Sequence, residues 1–144
     1  MKRNNTLLVI GWLLLAVAVV DAVDLIIGFI KNSYVVPANP DQLIQTVQTV
    51  VIIVGIAFSI ISILVNAFLG IRGITESSNP SGGKAHIVIA KILAVLCVIV
   101  CVLSAIALFS SKDLFADIVA LCIYIVDAAL MFIYVREAKA VRGE

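Results

Sequence analysis

The chain is short of almost everything that a water-soluble domain presents at its surface. Charged residues make up 13% of its 144 positions and hydrophobic ones 63%, whereas a typical soluble domain carries about 25% charged residues. A domain of this size has too little interior to hide that much apolar side chain from water. Lipid is therefore the expected solvent. Histidine occurs once, at His86, and cysteine three times, at Cys97, Cys101 and Cys122. An odd number of cysteines, all inside apolar runs, argues against a disulfide framework. Cys97 and Cys101 share a helix face, but the lone histidine lies several turns away and no acidic residue joins them. They read as small packing residues, and neither a metal site nor a cofactor is expected.

Other absences narrow the function. The net charge is only +1, and no basic cluster with interleaved aromatics is present, which excludes a nucleic-acid partner. No nucleophile–base arrangement and no zinc-protease motif occurs, so the chain is expected not to be an enzyme. Gly82-Gly83-Lys84 hints at a phosphate cradle. A P-loop requires Ser or Thr after the lysine and a strand before the loop; Ala85 follows here, and the segment reads as a flexible turn.

What the sequence does have is apolar runs of membrane length. A hydrocarbon core of about 30 Å takes roughly 20 helical residues. Spans are expected at about 6–30, 43–71, 86–109 and 114–135. Open sheet edges are excluded from lipid, so the predicted fold is all-α: a single transmembrane domain over 1–144, a four-helix bundle built as two hairpins. The loop after span one holds Pro37, Asn39, Pro40 and Asp41, with Asp41 placed to cap the next helix. Ser110, Ser111 or Asp113 is placed to cap the fourth. Lys2, Arg3, Arg72, Lys84, Arg136, Lys139 and Arg142 fall on one side. Lys31 and Lys112, each with an acid in the same loop, fall on the other. The positive-inside rule then makes both termini and the connector 72–85 cytoplasmic.

Polar residues inside the spans are the candidate site. A mid-span carboxylate costs on the order of 2.5–3.5 kcal/mol on insertion scales, so it should face the bundle or a wet cavity. Asp21 and Asp24 share one face of span one, and Asp127 is expected near the midplane of span four. Together with Gln48, Ser59, Ser62 and Asn66 of span two they form a possible path for protons or a small cation. The structural reading makes Asp127 the ion-pair partner of Lys91 in span three, with Asp117 in the first turn of span four favouring the helix's positive end. Span two carries a stripe of Gln45, Gln48, Gly55, Ser59, Ser62, Asn66, Gly70 and Gly73. Span three repeats the rhythm with Ala90, Ala94, Cys97, Cys101 and Ser104. Span four does so with Asp117, Ala120, Tyr124, Asp127, Met131 and Tyr134. Small residues let helices approach closely in lipid, and polar ones bond across them.

Gly70-Ile-Arg-Gly73 and Asn79-Pro-Ser81 before an apolar span resemble a pattern in small uncharacterised bacterial four-helix integral membrane proteins. The resemblance covers about thirty residues and implies a bacterial cytoplasmic membrane, without an activity. Two functions fit this sequence. One is a non-enzymatic scaffold or accessory subunit working by helix association, as a homo-oligomer or with another membrane protein. The other is a minimal oligomeric ion channel or proton- or cation-coupled transporter.

Overall fold

A computed structural model describes residues 4–31, 33–35, 42–80, 83–108 and 114–143, the side chains of 107, 116, 117 and 120 apart. It is helical, with α1 (Asn5–Ile30), α2 (Gln42–Ser78), α3 (Ala85–Ala107) and α4 (Leu114–Val141), and no strand occurs among the described residues. The all-α expectation therefore holds. The proposed caps at Asp41, Ser110, Ser111 and Asp113, and the side chain of Asp117, lie outside the described residues.

Three helices are long and apolar enough to cross a membrane: α1, α2 and α3, with mean hydropathies of 2.6, 2.7 and 3.0 over their most apolar stretches. Among the described residues α4 is not a fourth. It carries Asp127 midway and Arg136, Glu137 and Lys139 in its last turns.

Helix ends explain where the spans outrun their expected limits. α2 continues to Ser78, through much of the interval read as a connector. Its 37 residues extend about 55 Å at 1.5 Å per residue, well beyond an apolar core. The polar end is held helical by the Arg72–Glu76 pair at i,i+4, 3.1 Å apart. It closes with the Asn79 N–H donating to the Thr75 carbonyl. Pro80 then stops it by disfavouring helical dihedrals at Asn79. α4 likewise runs past Val135 to Val141 and ends at Gly143, whose φ of 72° suits the left-handed residue that closes a helix.

The chain forms two compact units: residues 1–11 with 72–144, and residues 12–71. In the first, α3 packs along α4. Its seam is small and apolar: Ile87, Ala90 and Ala94 on α3, and Ala128, Met131, Tyr134 and Ala138 on α4, are buried at spacings of three, four or seven. Asn4 caps α1, its Oδ1 accepting from the Leu7 N–H at 2.9 Å, while its own N–H donates to the Ser77 carbonyl at 2.9 Å. In the second unit, Tyr34 folds back over the end of α1. Its ring lies 4.9 Å from that of Phe29, and it fills the space where a Cβ on Gly28 would sit.

Candidate functional site

The most developed polar constellation lies in the first unit, where the end of α2, the start of α3 and the end of α4 meet. Glu76 is at its centre and is fully buried. A carboxylate out of water must find donors for its lone pairs, and Glu76 finds three. Arg142 donates from Nε to Oε2 at 3.1 Å and from Nη2 to Oε1 at 2.5 Å, the two-pronged geometry that a guanidinium matches to a carboxylate. Arg72 adds Nη2 to Oε1 at 3.1 Å. A further, longer contact from Arg142 Nη2 to the Gly83 carbonyl, at 3.5 Å, ties in the turn before α3.

His86 and Tyr134 form the apolar side of this cluster. Both are buried, and their rings meet edge to face with centroids 6.1 Å apart. The Nε2 of His86 stands 3.9 Å from Glu76 Oε1, too far for a hydrogen bond. Among the described residues neither imidazole nitrogen nor the Tyr134 hydroxyl has a hydrogen-bond partner of ordinary geometry, although the Gly83 backbone lies close enough to act on the imidazole. A buried polar group left unsatisfied costs about 1–3 kcal/mol. Three together are a feature to be explained.

Gly73 lets the end of α2 come this close. A Cβ there would stand 2.9 Å from the Tyr134 ring, 3.3 Å from the Gly11 Cα and 3.5 Å from the Leu7 carbonyl oxygen. A second polar link lies nearby in sequence. Glu137 Oε2 accepts from Asn4 Nδ2 at 3.0 Å, and Oε1 accepts from Arg136 at 2.7 and 3.0 Å. These bonds, Asn4's first, hold the Glu137 carboxyl below its ordinary pKa.

The residues singled out from sequence are distributed differently. Asp21 is half-buried and Asp24 exposed, both on the α1 part of the second unit; Asp127 is half-buried on α4 of the first. Lys91 is exposed on α3. On α2, Ser59 donates to the Gly55 carbonyl at 3.0 Å and Asn66 Nδ2 contacts Ser62 Oγ at 3.5 Å, both within the helix. Among the described residues, Gln48 keeps a buried Oε1 without a partner, and nothing lies within 4 Å of where a Cβ on Gly55 would be. Of the expected stripes, Ala90, Ala94, Met131 and Tyr134 enter the buried seam, while Cys97 and Cys101 are half-buried and Tyr124 is exposed.

Glu76, Arg142, His86 and Asn4 were not among the expected site residues. One signal was present: a carboxylate four residues after Arg72 and ten before the only histidine. Its partner Arg142 lies 66 positions away, a pairing that no local pattern encodes. Comparison with protein-family models, curated proteins and solved structures found no match.

Proposed function

We propose that this chain is a non-enzymatic, multi-pass protein of the bacterial cytoplasmic membrane, a scaffold or accessory subunit that works by self-association along α2. One observation carries the reading. None of the most apolar stretch of α2 is buried within the chain, yet that helix bears Gln48, Gly55, Ser59, Ser62 and Asn66 in one stripe. Lipid tails cover valine and isoleucine but offer nothing to amides and hydroxyls. A second copy of the stripe offers both close approach at Gly55 and hydrogen bonds from Asn66 and Gln48.

Four spans with both termini cytoplasmic complete the proposal. Residues 118–135 contain a single charge, Asp127, and are long enough to cross. The contacts of Asn4 with Ser77 and Glu137, and of Glu76 with Arg142, gather the start of α1 and the ends of α2 and α4. That is the arrangement expected when each hairpin returns to its starting side. The basic residues assign that side to the cytoplasm.

The test is single-molecule photobleaching of labelled protein in liposomes over a range of protein-to-lipid ratios. Wild type should form dimers or larger oligomers, and Asn66→Leu should weaken them about threefold, the equivalent of roughly 0.6 kcal/mol for one interhelical hydrogen bond. Wild-type protein that stays monomeric at every ratio would sink the proposal. Ion conduction is the second reading, favoured by the half-buried Asp21 and Asp127 at span depth. Proton or cation flux in proteoliposomes that disappears in Asp21→Asn/Asp127→Asn would replace the scaffold with a channel.

A further inference from the structure

We infer that the cluster around Glu76 binds an ordered water molecule, held between His86, Tyr134 and Glu76. The side chains of His86 and Tyr134 are 1% and 0% exposed, so bulk solvent does not reach the two imidazole nitrogens or the phenol hydroxyl. Among the described residues none of the three has a hydrogen-bond partner of ordinary geometry, although the Gly83 backbone acts on the imidazole. The Nε2 of His86 stands 3.9 Å from Glu76 Oε1, too long for a direct hydrogen bond and a separation at which one water beside the pair can contact both atoms. Buried waters characteristically join several polar groups that lack other partners.

The chemistry of the surroundings selects the guest. A neutral imidazole offers one donor and one acceptor, and a phenol offers both, so the guest must donate and accept. An anion would meet the Glu76 carboxylate. A cation would meet Arg72 and Arg142, which already surround that carboxylate. A metal ion would need more ligands than His86 and Glu76 supply, and no group of three metal-ligating side chains exists among the described residues. Water satisfies all of these constraints. The bound molecule would extend the Glu76–Arg142 link into a network reaching His86 at the start of α3 and Tyr134 on α4.

Because His86 is the only histidine in the chain, the test has a built-in single-site probe. Full-length protein labelled with 15N-histidine is placed in bilayers, and magnetisation transfer from water to the imidazole nitrogens is recorded by NMR. Wild type should show transfer from a slowly exchanging water to at least one nitrogen, and Tyr134→Phe should lose or strongly reduce it. Absence of any such transfer in wild type overturns the inference, as does transfer unchanged in Tyr134→Phe. A stability cycle offers a second readout, with His86→Phe, Tyr134→Phe and the double variant compared in bicelles. A shared water predicts that each single variant lowers the unfolding midpoint and that the double variant falls no further than the worse single. Tyr134→Phe that leaves stability unchanged or raises it, as loss of an orphan hydroxyl would, overturns the inference, as does simple additivity.

Discussion

Two stretches of the same helix follow opposite rules. From Gln42 to Ile71, α2 is apolar, its side chains are largely exposed within the chain, and Thr46, Thr49 and Ser59 bond back to their own backbone. From Arg72 to Ser78 it is polar, yet Gly73, Glu76 and Ser77 are buried. The first stretch meets the expectation for lipid, and its polar stripe is the one proposed to meet a second copy. The second is closed by charges from distant parts of the chain. On the proposed reading, stability is concentrated at a polar end and association runs along an apolar middle. The inversion is physically reasonable. Apolar packing gains little between helices already in lipid, whereas a buried ion pair that loses one partner is heavily penalised.

The sharpest way to break this contrast is at Glu76. Glu76→Gln leaves Arg142 and Arg72 facing a neutral amide in a buried site, and removing one member of a buried pair costs about 3–5 kcal/mol. Ser62→Ala, on the exposed face of α2, should stay within about 0.5 kcal/mol of wild type. Unfolding by SDS titration measures both. Equal effects at the two positions would show that the polar end is not where the fold is held.

Glycine gives the next contrast. At Gly73 an added methyl meets the Tyr134 ring at 2.9 Å and the Gly11 backbone at 3.3 Å, and overpacking of this kind costs about 1–3 kcal/mol. At Gly55 the same methyl meets nothing, and the better helix propensity of alanine is worth up to about 1 kcal/mol. Gly73→Ala should destabilise the single chain and Gly55→Ala should not, by the same titration at a dilution where the chain is monomeric. At concentrations where copies associate, the proposed close approach at Gly55 predicts that Gly55→Ala becomes destabilising, and no change there would remove Gly55 from the interface.

This contrast also separates what was legible in the sequence from what was not. The helices were legible because apolar length in lipid admits few alternatives; α1 and α3 fall within a residue or two of their expected limits. The alanine seam was legible in part, since Ala90, Ala94, Met131 and Tyr134 follow helical spacing. The extensions of α2 and α4 are not legible, because their polar composition is that of a loop. The Arg72–Glu76 pair and the packing of Gly73 keep that composition helical. The cluster itself was out of reach, because Glu76 meets Arg142 across 66 positions and Asn4 meets Glu137 across 133. Aspartates within the apolar runs stand out because a charge is costly there, whereas the fully buried acid, Glu76, lies in a stretch whose composition resembles a connector.

The smallest expected effect concerns Glu137. Its carboxyl is held below the ordinary value of 4.5 by the hydrogen bond from Asn4 and then by those from Arg136. A depressed folded-state pKa means that the unfolded chain takes up its proton first as the pH falls. The stabilisation is therefore complete at neutral pH and is lost as the pH drops below the ordinary value and through the folded one. Asn4→Ser isolates this contribution, since serine keeps an oxygen able to cap α1 but removes the amide that donates to Glu137. Wild type should exceed Asn4→Ser in stability at pH 7, and the gap should narrow as the pH is lowered through the carboxylate range. A gap of constant size would assign the whole effect of Asn4 to its cap and its backbone bond to Ser77, and would remove Glu137 from the contacts that hold the polar end together.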